Sequence, residues 1–292
     1  MSGYSFYDPT YVPRPFPSHN MGAICWCNSL VQVLLGLPAL NKLILARPDA
    51  KNPLWQAYAS ILRDSAASRP PPSAGALILD AMRKTAAAAG RPLQLGNSEE
   101  CADEALTIFI DLLGEEIGAL FTNVYELNIT CPGCKRVTST IRDNAYRIQL
   151  FADVNLTTER EFCEYLRAHR SICEYYKCSC GASFSNFPRD ERLRVLREIV
   201  IIVFNKFYSK DIKWFPQQLK FKSTDNTYLV YRLVGKIEHV GSMFGGHYYA
   251  HSLRGDTWYK LNDTHVGPGD PDPSPNTFMI AYHLVREDGV NS

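Results

Sequence analysis

Cys25 stands in the run His19-Asn-Met-Gly-Ala-Ile-Cys-Trp-Cys-Asn-Ser-Leu-Val-Gln32. Sulfur reacts as thiolate, so a working cysteine needs a helix N-terminus, a neighbouring imidazole or both to bring its pKa down from about 8.5. The pattern offers both. Gly22 supplies a turn, and apolar residues at helical spacing (Leu30, Val33, Leu34, Leu37) follow, which predicts the thiol at the positive end of a helix. Far along the chain come Gly245-Gly-His-Tyr-Tyr-Ala-His251 and Trp258-Tyr-Lys-Leu-Asn-Asp263. His247 follows two glycines, whose missing side chains let an extended peptide pass close to the backbone, and it is the candidate general base and acid. Asn262 and Asp263 both offer an acceptor that would fix the imidazole tautomer. Neighbours in a strand face opposite ways, so only one of them is expected to reach the ring directly. Cys27 falls on another face of the helix and is expected in the core. His19, His239, His251 and His265 have no comparable setting and are expected at the surface or as supporting residues.

These stretches resemble the boxes of the ubiquitin-specific proteases, a papain-like family. Its first box reads roughly Asn-x-Gly-(Asn/Ala)-Thr-Cys-Tyr-x-Asn-Ser-x-x-Gln, and Asn20, Gly22, Cys25, Asn28, Ser29 and Gln32 stand at those spacings. Its second box, Gly-His-Tyr-x-Ala and then Trp-Tyr-x-Phe-Asn-Asp-x-x-Val, is matched by Gly246 to Ala250 and by Trp258 to Val266, with Leu261 in place of Phe. Ala102, Glu104 and Leu106 are in register with the family's Gln-(Gln/Glu)-Asp-Ala-x-Glu-Phe-Leu segment, from which Cys101 and Ala105 depart. The closing Ala281-Tyr-His-Leu-Val285 is similar to Ala-Tyr-x-Leu-Phe. The resemblance runs from Asn20 to Arg286 and implies a bare catalytic domain. It implies a cysteine protease that cleaves the (iso)peptide bond at the C-terminal glycine of ubiquitin through a thioester. Cys25 would be the nucleophile, His247 the base and acid, Asn262 the residue that orients it, Asp263 a supporting acceptor, and Asn20 the oxyanion donor with the Cys25 N–H. Where the family's Asp helps to hold the ubiquitin tail, Cys101 cannot act as an anion. Two alternatives stand beside this reading: a ubiquitin-binding scaffold without catalysis, toward which Ile24, Cys101 and Leu261 point, and a peptidase for a ubiquitin-like modifier.

The elements that must position these residues divide the chain into a helical and a strand-rich half. Helices are expected after Cys25, over Leu54 to Arg63, over Leu77 to Ala89, and after Asn97-Ser-Glu-Glu, where Ala102, Leu106, Phe109 and Leu113 form one apolar stripe. Strands are expected over Val124 to Thr130, Val137 to Ile141, Arg147 to Phe151, Glu198 to Phe207, Tyr228 to Val240, His247 to Leu253, Thr257 to Leu261 and Phe278 to Val285. The expected fold class is α+β, of the papain-like ubiquitin-specific protease type. An N-terminal segment (1–19) would precede a helical thumb (20–120) and zinc-pinned fingers (121–210), inserted in a β-rich palm that runs to 286.

Cys131-Pro-Gly-Cys134 is a knuckle whose sulfurs can converge on one metal, and Cys178-Ser-Cys180 supplies a second pair, so the four predict a closed structural Zn2+ site. The family more often writes the second pair as Cys-x-x-Cys, and Cys173 is an alternative ligand.

The 292 residues carry 31 basic and 30 acidic side chains, so no net field would draw the chain to nucleic acid or to an anionic membrane. The first residues lack a secretory signal pattern, and Ile199 to Phe204, the most apolar run, is too short to span a bilayer. The chain is therefore expected to be intracellular, cytoplasmic and/or nuclear, with neither membrane nor nucleic acid as partner. Its nine cysteines are expected as thiols and metal ligands before disulfides. The expected partners are ubiquitin, ubiquitinated proteins and a protein adaptor. The sequons at Asn128 and Asn155 are chance matches in that setting.

Overall fold

All ten residues of the first helix, α1 (Cys25–Leu34), are buried, its polar ones included. A helix that is covered on every side is a central strut, and its polar side chains must find partners inside the protein. The structure, a computed structural model, describes residues 13–285 apart from 49, 97, 151–155, 205–213, 223–227 and 243–244. The expected N-terminal segment therefore lies partly, and Asn155 wholly, outside the described residues, as do the ends of two expected strands at Phe151 and Phe207.

Of the other helices, α4 (Ala74–Ala88) and α5 (Ala102–Leu113) pack on α1, and α2 (Pro38–Leu45), α3 (Pro53–Ala66) and α6 (Glu115–Phe121) pack on these and on one another. Local chemistry sets their starts. Asn52 accepts the Leu54 and Trp55 N–H groups ahead of α3, with Pro53 at its first position, and Ser73 caps α4 through the Ala76 N–H. The expected cap of α5 is not what the structure has. Its N-cap is Cys101, which makes no side-chain cap; Asn97 lies outside the described residues, and Glu99 points elsewhere. α2 and α6 also go beyond the expected helices: Pro38 at the start of one and the Glu115–Glu116 pair in the first turn of the other are their signals.

The second half contains β1 (Asn123–Thr130), β2 (Val137–Ala145), β3 (Ile148–Leu150), α7 (Glu159–Arg167), β4 (Ala168–Lys177), β5 (Ser183–Val195), β6 (Ile199–Phe204), β7 (Gln218–Lys222), β8 (Tyr228–Ser242), β9 (Gly245–Arg254), β10 (Thr257–Asn262), β11 (His265–Pro268) and β12 (Thr277–Val285). They form two sheets. The smaller has the order β2-β1-β5-β4; the larger runs β11-β10-β9-β8-β12-β6-β3, with β7 also paired to β8. β6 shows why the large sheet is the core wall: Ile199, Ile201 and Val203 face the helices, while Val200, Ile202 and Phe204 face a second apolar cluster. A continuous apolar run is what a strand buried on both faces needs. Among the described residues, no single helix is long and apolar enough to cross a membrane.

The segment before α1 is stitched into this core. Gln32 donates to the Phe16 carbonyl (3.0 Å), the Ser18 hydroxyl to Asn28 Oδ1 (2.7 Å), and the Ser18 N–H to the Asp263 carbonyl (2.8 Å). Residues from both ends of the described chain are thereby fixed against one helix.

Candidate active site and four-cysteine cluster

α1 begins at Cys25, with Ile24 as its N-cap. The thiol is buried and accepts the N–H of Tyr248 on β9, the residue next to His247. The helix start was expected to lower the thiol pKa, and here the structure differs: burial comes first and raises it. The Tyr248 and Trp26 N–H groups pull it down, whereas the charges of Glu99 and Asp263 push it further up. Cys27 is fully buried, donates to the Gly75 carbonyl (3.3 Å) and is pushed up to about 12, a core thiol as its spacing predicted.

His247 Nε2 lies 2.6 Å from Asn262 Oδ1, and the Asp263 carboxylate stands farther off, at 4.0 Å. An amide oxygen only accepts, so Nε2 carries the proton and Nδ1 of the neutral ring has the lone pair. Only Asn262 is within hydrogen-bond reach of the ring, though not because alternate residues of a strand face opposite ways. β10 ends at Asn262, and Asp263 lies in a turn with φ 50°, which brings its carboxylate to the same side as Asn262 but leaves it 4.0 Å from the nitrogen.

Asp263 has further partners. Asn20 Nδ2 donates to its Oδ2 (3.1 Å) and Asn28 Nδ2 to its Oδ1 (2.8 Å), while Asn20 Oδ1 accepts the Ile24 N–H (3.1 Å) at the mouth of α1. Asn28 is a site residue that sequence reasoning matched to a box without giving it work. It also accepts the Gly75 N–H (3.1 Å), and a Cβ at Gly75 would lie 2.3 Å from its oxygen. The available signal was a carboxamide in a helix otherwise destined for the interior.

Gly246 was expected to clear a path for a peptide. Its missing side chain makes room within the sheet: a Cβ there would meet the Val240 carbonyl at 2.3 Å and His239 Nε2 at 2.6 Å. His239 and His251, expected at the surface or as support, are both buried. His239 Nε2 is 2.8 Å from the Glu99 carboxylate, and His251 Nδ1 accepts the Asp270 N–H (2.8 Å). Glu99, whose other oxygen accepts the Gly246 N–H, is the second residue that sequence reasoning missed.

Away from this site, the hairpin tips of the small sheet bring together Cys131, Cys134, Cys178 and Cys180, all four sulfurs lying within 4.8 Å of one another. Cys131 and Cys180 are 3.8 Å apart, Cys134 and Cys178 3.6 Å. Four thiolates at about 2.3 Å from a tetrahedral Zn2+ stand about 3.8 Å from each other, so this donor set fits the metal. The Cys180 N–H and the Tyr176 hydroxyl draw the Cys178 thiol down to about 6, toward the form a metal binds. The shortened knuckle closes through Gly181, at φ 91°, whose N–H bonds the Cys178 carbonyl (3.0 Å). Cys173 is not part of the cluster and donates to the Tyr175 carbonyl instead.

The fold agrees with the comparisons. The chain belongs to the ubiquitin carboxyl-terminal hydrolase family, whose model matches residues 18–285. It is similar in fold to the SAGA DUB module Ubp8/Sgf11/Sus1/Sgf73 bound to ubiquitin aldehyde, with a TM-score of 0.72 and 18% identity over 97% of this chain and 72% of that one. A form of that module bound to monoubiquitin gives 0.71 and 19%, over 96% and 71%. The yeast SAGA DUB module with an Sgf73 mutant gives 0.62 and 16%, over 99% and 72%. No curated protein sequence matches the chain.

Proposed function

We propose that this chain is a deubiquitinating cysteine protease that cleaves the (iso)peptide bond after the C-terminal glycine of ubiquitin. The observation that carries the reading is His247 on β9, whose Nε2 is held by Asn262 and whose neighbour on the same strand, Tyr248, gives its N–H to the Cys25 sulfur. Burial favours the thiol form of Cys25 at rest, against the lowering expected from the helix start. The Cys25 proton passes to Nδ1 as sulfur attacks the carbonyl carbon and the π electrons move to oxygen. The oxyanion is met by the Cys25 N–H and by Asn20, whose Nδ2 has a second hydrogen besides the one given to Asp263. Collapse expels the lysine amine, which takes the proton from Nδ1 and leaves a thioester. Water then adds with its proton to Nδ1, and the released thiolate recovers it. Asp263 holds Asn20 and lies near the imidazolium.

The four cysteines would hold one structural Zn2+, fixing the ends of β1–β2 and β4–β5. The helices before β1 would be a thumb (20–120) and the large sheet a palm; β3 and β6 belong to that sheet, so the fingers are the small sheet of β1, β2, β4 and β5 and not the whole of the expected 121–210. Ubiquitin and an adaptor are the partners suggested by the similar modules, which contain Sgf11, Sus1 and Sgf73 and are bound to ubiquitin forms. Location inside the cell, in cytoplasm and/or nucleus, follows from that substrate. The raised thiol favours one second reading, a ubiquitin-binding domain with little turnover.

Ubiquitin with a C-terminal thiol-reactive warhead tests both. A covalent adduct at Cys25 by mass spectrometry is the expected result. Binding without an adduct supports the second reading, and an adduct with only a ubiquitin-like modifier replaces the substrate.

A further inference from the structure

Glu99 precedes α5 but does not cap it. Its carboxylate instead crosses to the large sheet, where Oε1 lies 2.8 Å from His239 Nε2 on β8 and Oε2 accepts the Gly246 N–H on β9. β10 covers β9 only from Arg254 to Ala250, so the edge of β9 beyond it is open. In an extended strand, residues two apart repeat the same orientation after about 7 Å. Gly246 and Tyr248 are such a pair: one outward N–H goes to Glu99 and the next to the Cys25 sulfur.

Resting on the reading of Cys25 as nucleophile, we propose that Glu99 is a positioning residue for the thiol chemistry. By gripping Gly246 and His239 together, it fixes the open edge of β9 on which Tyr248 meets the sulfur and His247 is carried.

A second line of support is electrostatic. The ionisable groups around the thiol are Glu99 ahead of α5, Asp263 in the turn after β10, and His247 and Tyr248 on β9, with Cys101 at the start of α5 and His239 on β8 behind them. Glu99 and Asp263 both disfavour the thiolate. Exchanging the Glu99 carboxylate for a carboxamide keeps an acceptor for Gly246 and removes the charge, which makes the sulfur easier to ionise.

The test compares the full chain with Glu99→Gln and Glu99→Ala. Two readouts are needed: iodoacetamide alkylation of Cys25 across pH, followed by peptide mass spectrometry, and kcat and KM on a fluorogenic ubiquitin C-terminal amide. For Glu99→Gln, the alkylation midpoint should move about half a pH unit or more to lower pH, with kcat within about threefold of the parent. Glu99→Ala should lower kcat about tenfold or more with KM within about threefold. An unmoved midpoint in Glu99→Gln overturns the proposal, whether kcat is unchanged or falls only in step with the melting temperature. Should Glu99→Ala fail to fold, Glu99→Gln decides alone. If the midpoint moves and the parent does not turn over ubiquitin, the protease reading fails while the role of Glu99 beside the thiol stands.

Discussion

Asn20 and Asp263, 243 positions apart in sequence, share a hydrogen bond of 3.1 Å, and through it the proposed oxyanion donor is tied to the turn that carries the imidazole's acceptor. Asn28 holds the same carboxylate from the interior of α1. Asp263 is thus the junction of three elements, although its type and position alone ranked it behind Asn262.

That junction sets the first prediction. Asn262→Ala should lower kcat on a ubiquitin substrate with little change in KM, because the orientation of His247 matters most in the transition state. Asp263→Ala should cost at least as much, about tenfold or more, and should not multiply with Asn20→Ala, since both break the same link. Steady-state kinetics of the single and double variants check this. Normal turnover in Asp263→Ala would remove the junction from the mechanism.

Gly75 predicts an effect at a distance. A methyl there would press on Asn28 Oδ1 at 2.3 Å, and Asn28 in turn holds Asp263. Gly75→Ala is expected to cost about 1–3 kcal/mol of stability, the usual penalty of overpacking, and to lower kcat as well. Urea unfolding and turnover on the same preparation measure both. Loss of stability with unchanged kcat would break the proposed chain of contacts.

The four-cysteine cluster predicts about one zinc per chain by elemental analysis. Chelation or Cys134→Ser should lower the melting temperature and weaken ubiquitin binding, while alkylation of Cys25 by iodoacetamide stays near normal because the two sites are separate. Metal-free protein of full stability would rule the site out.

Two buried histidines make the fold acid-sensitive. Burial holds His283 down to about 4, and burial together with the Lys236 charge holds His251 to about 4. Both bond as neutral rings, His283 Nε2 accepting the Ala39 N–H at the start of α2. Their folded pKa values lie below the unfolded value of about 6.5, so their contribution is complete above that pH and is lost as pH falls toward 4. Each contributes a few kcal/mol over that window, at about 1.4 kcal/mol per pH unit. Urea midpoints from pH 7 to 4 should fall more steeply in the parent than in His283→Gln, whose amide still accepts the Ala39 N–H. Equal slopes would dismiss the histidine as the cause.

What could be read from sequence was whatever repeats locally. The helix at Cys25, the all-apolar β6 and the two boxes are patterns of neighbours, and the structure places them together. α7 was missed inside the strand-rich half because it is mostly polar, although Thr158 and Glu161 write its capping box plainly. β4 and β5 were obscured because much of the small sheet is exposed and charged, so alternation is weak. Glu99 and Asn28 could not be assigned, since their partners are chosen only when distant strands arrive.

The stitching of α1 to the far strands also has a consequence in time. A growing chain exposes Cys25 early, but Asp263 is made 238 positions later, and Asn20 waits 243 positions for it. At about 5–20 residues per second, the nascent protein carries its sulfur for about 12–50 s before the groups that orient the reaction exist. Until then the proposed peptidase site is incomplete on the ribosome, where growing chains and their modifiers are within reach.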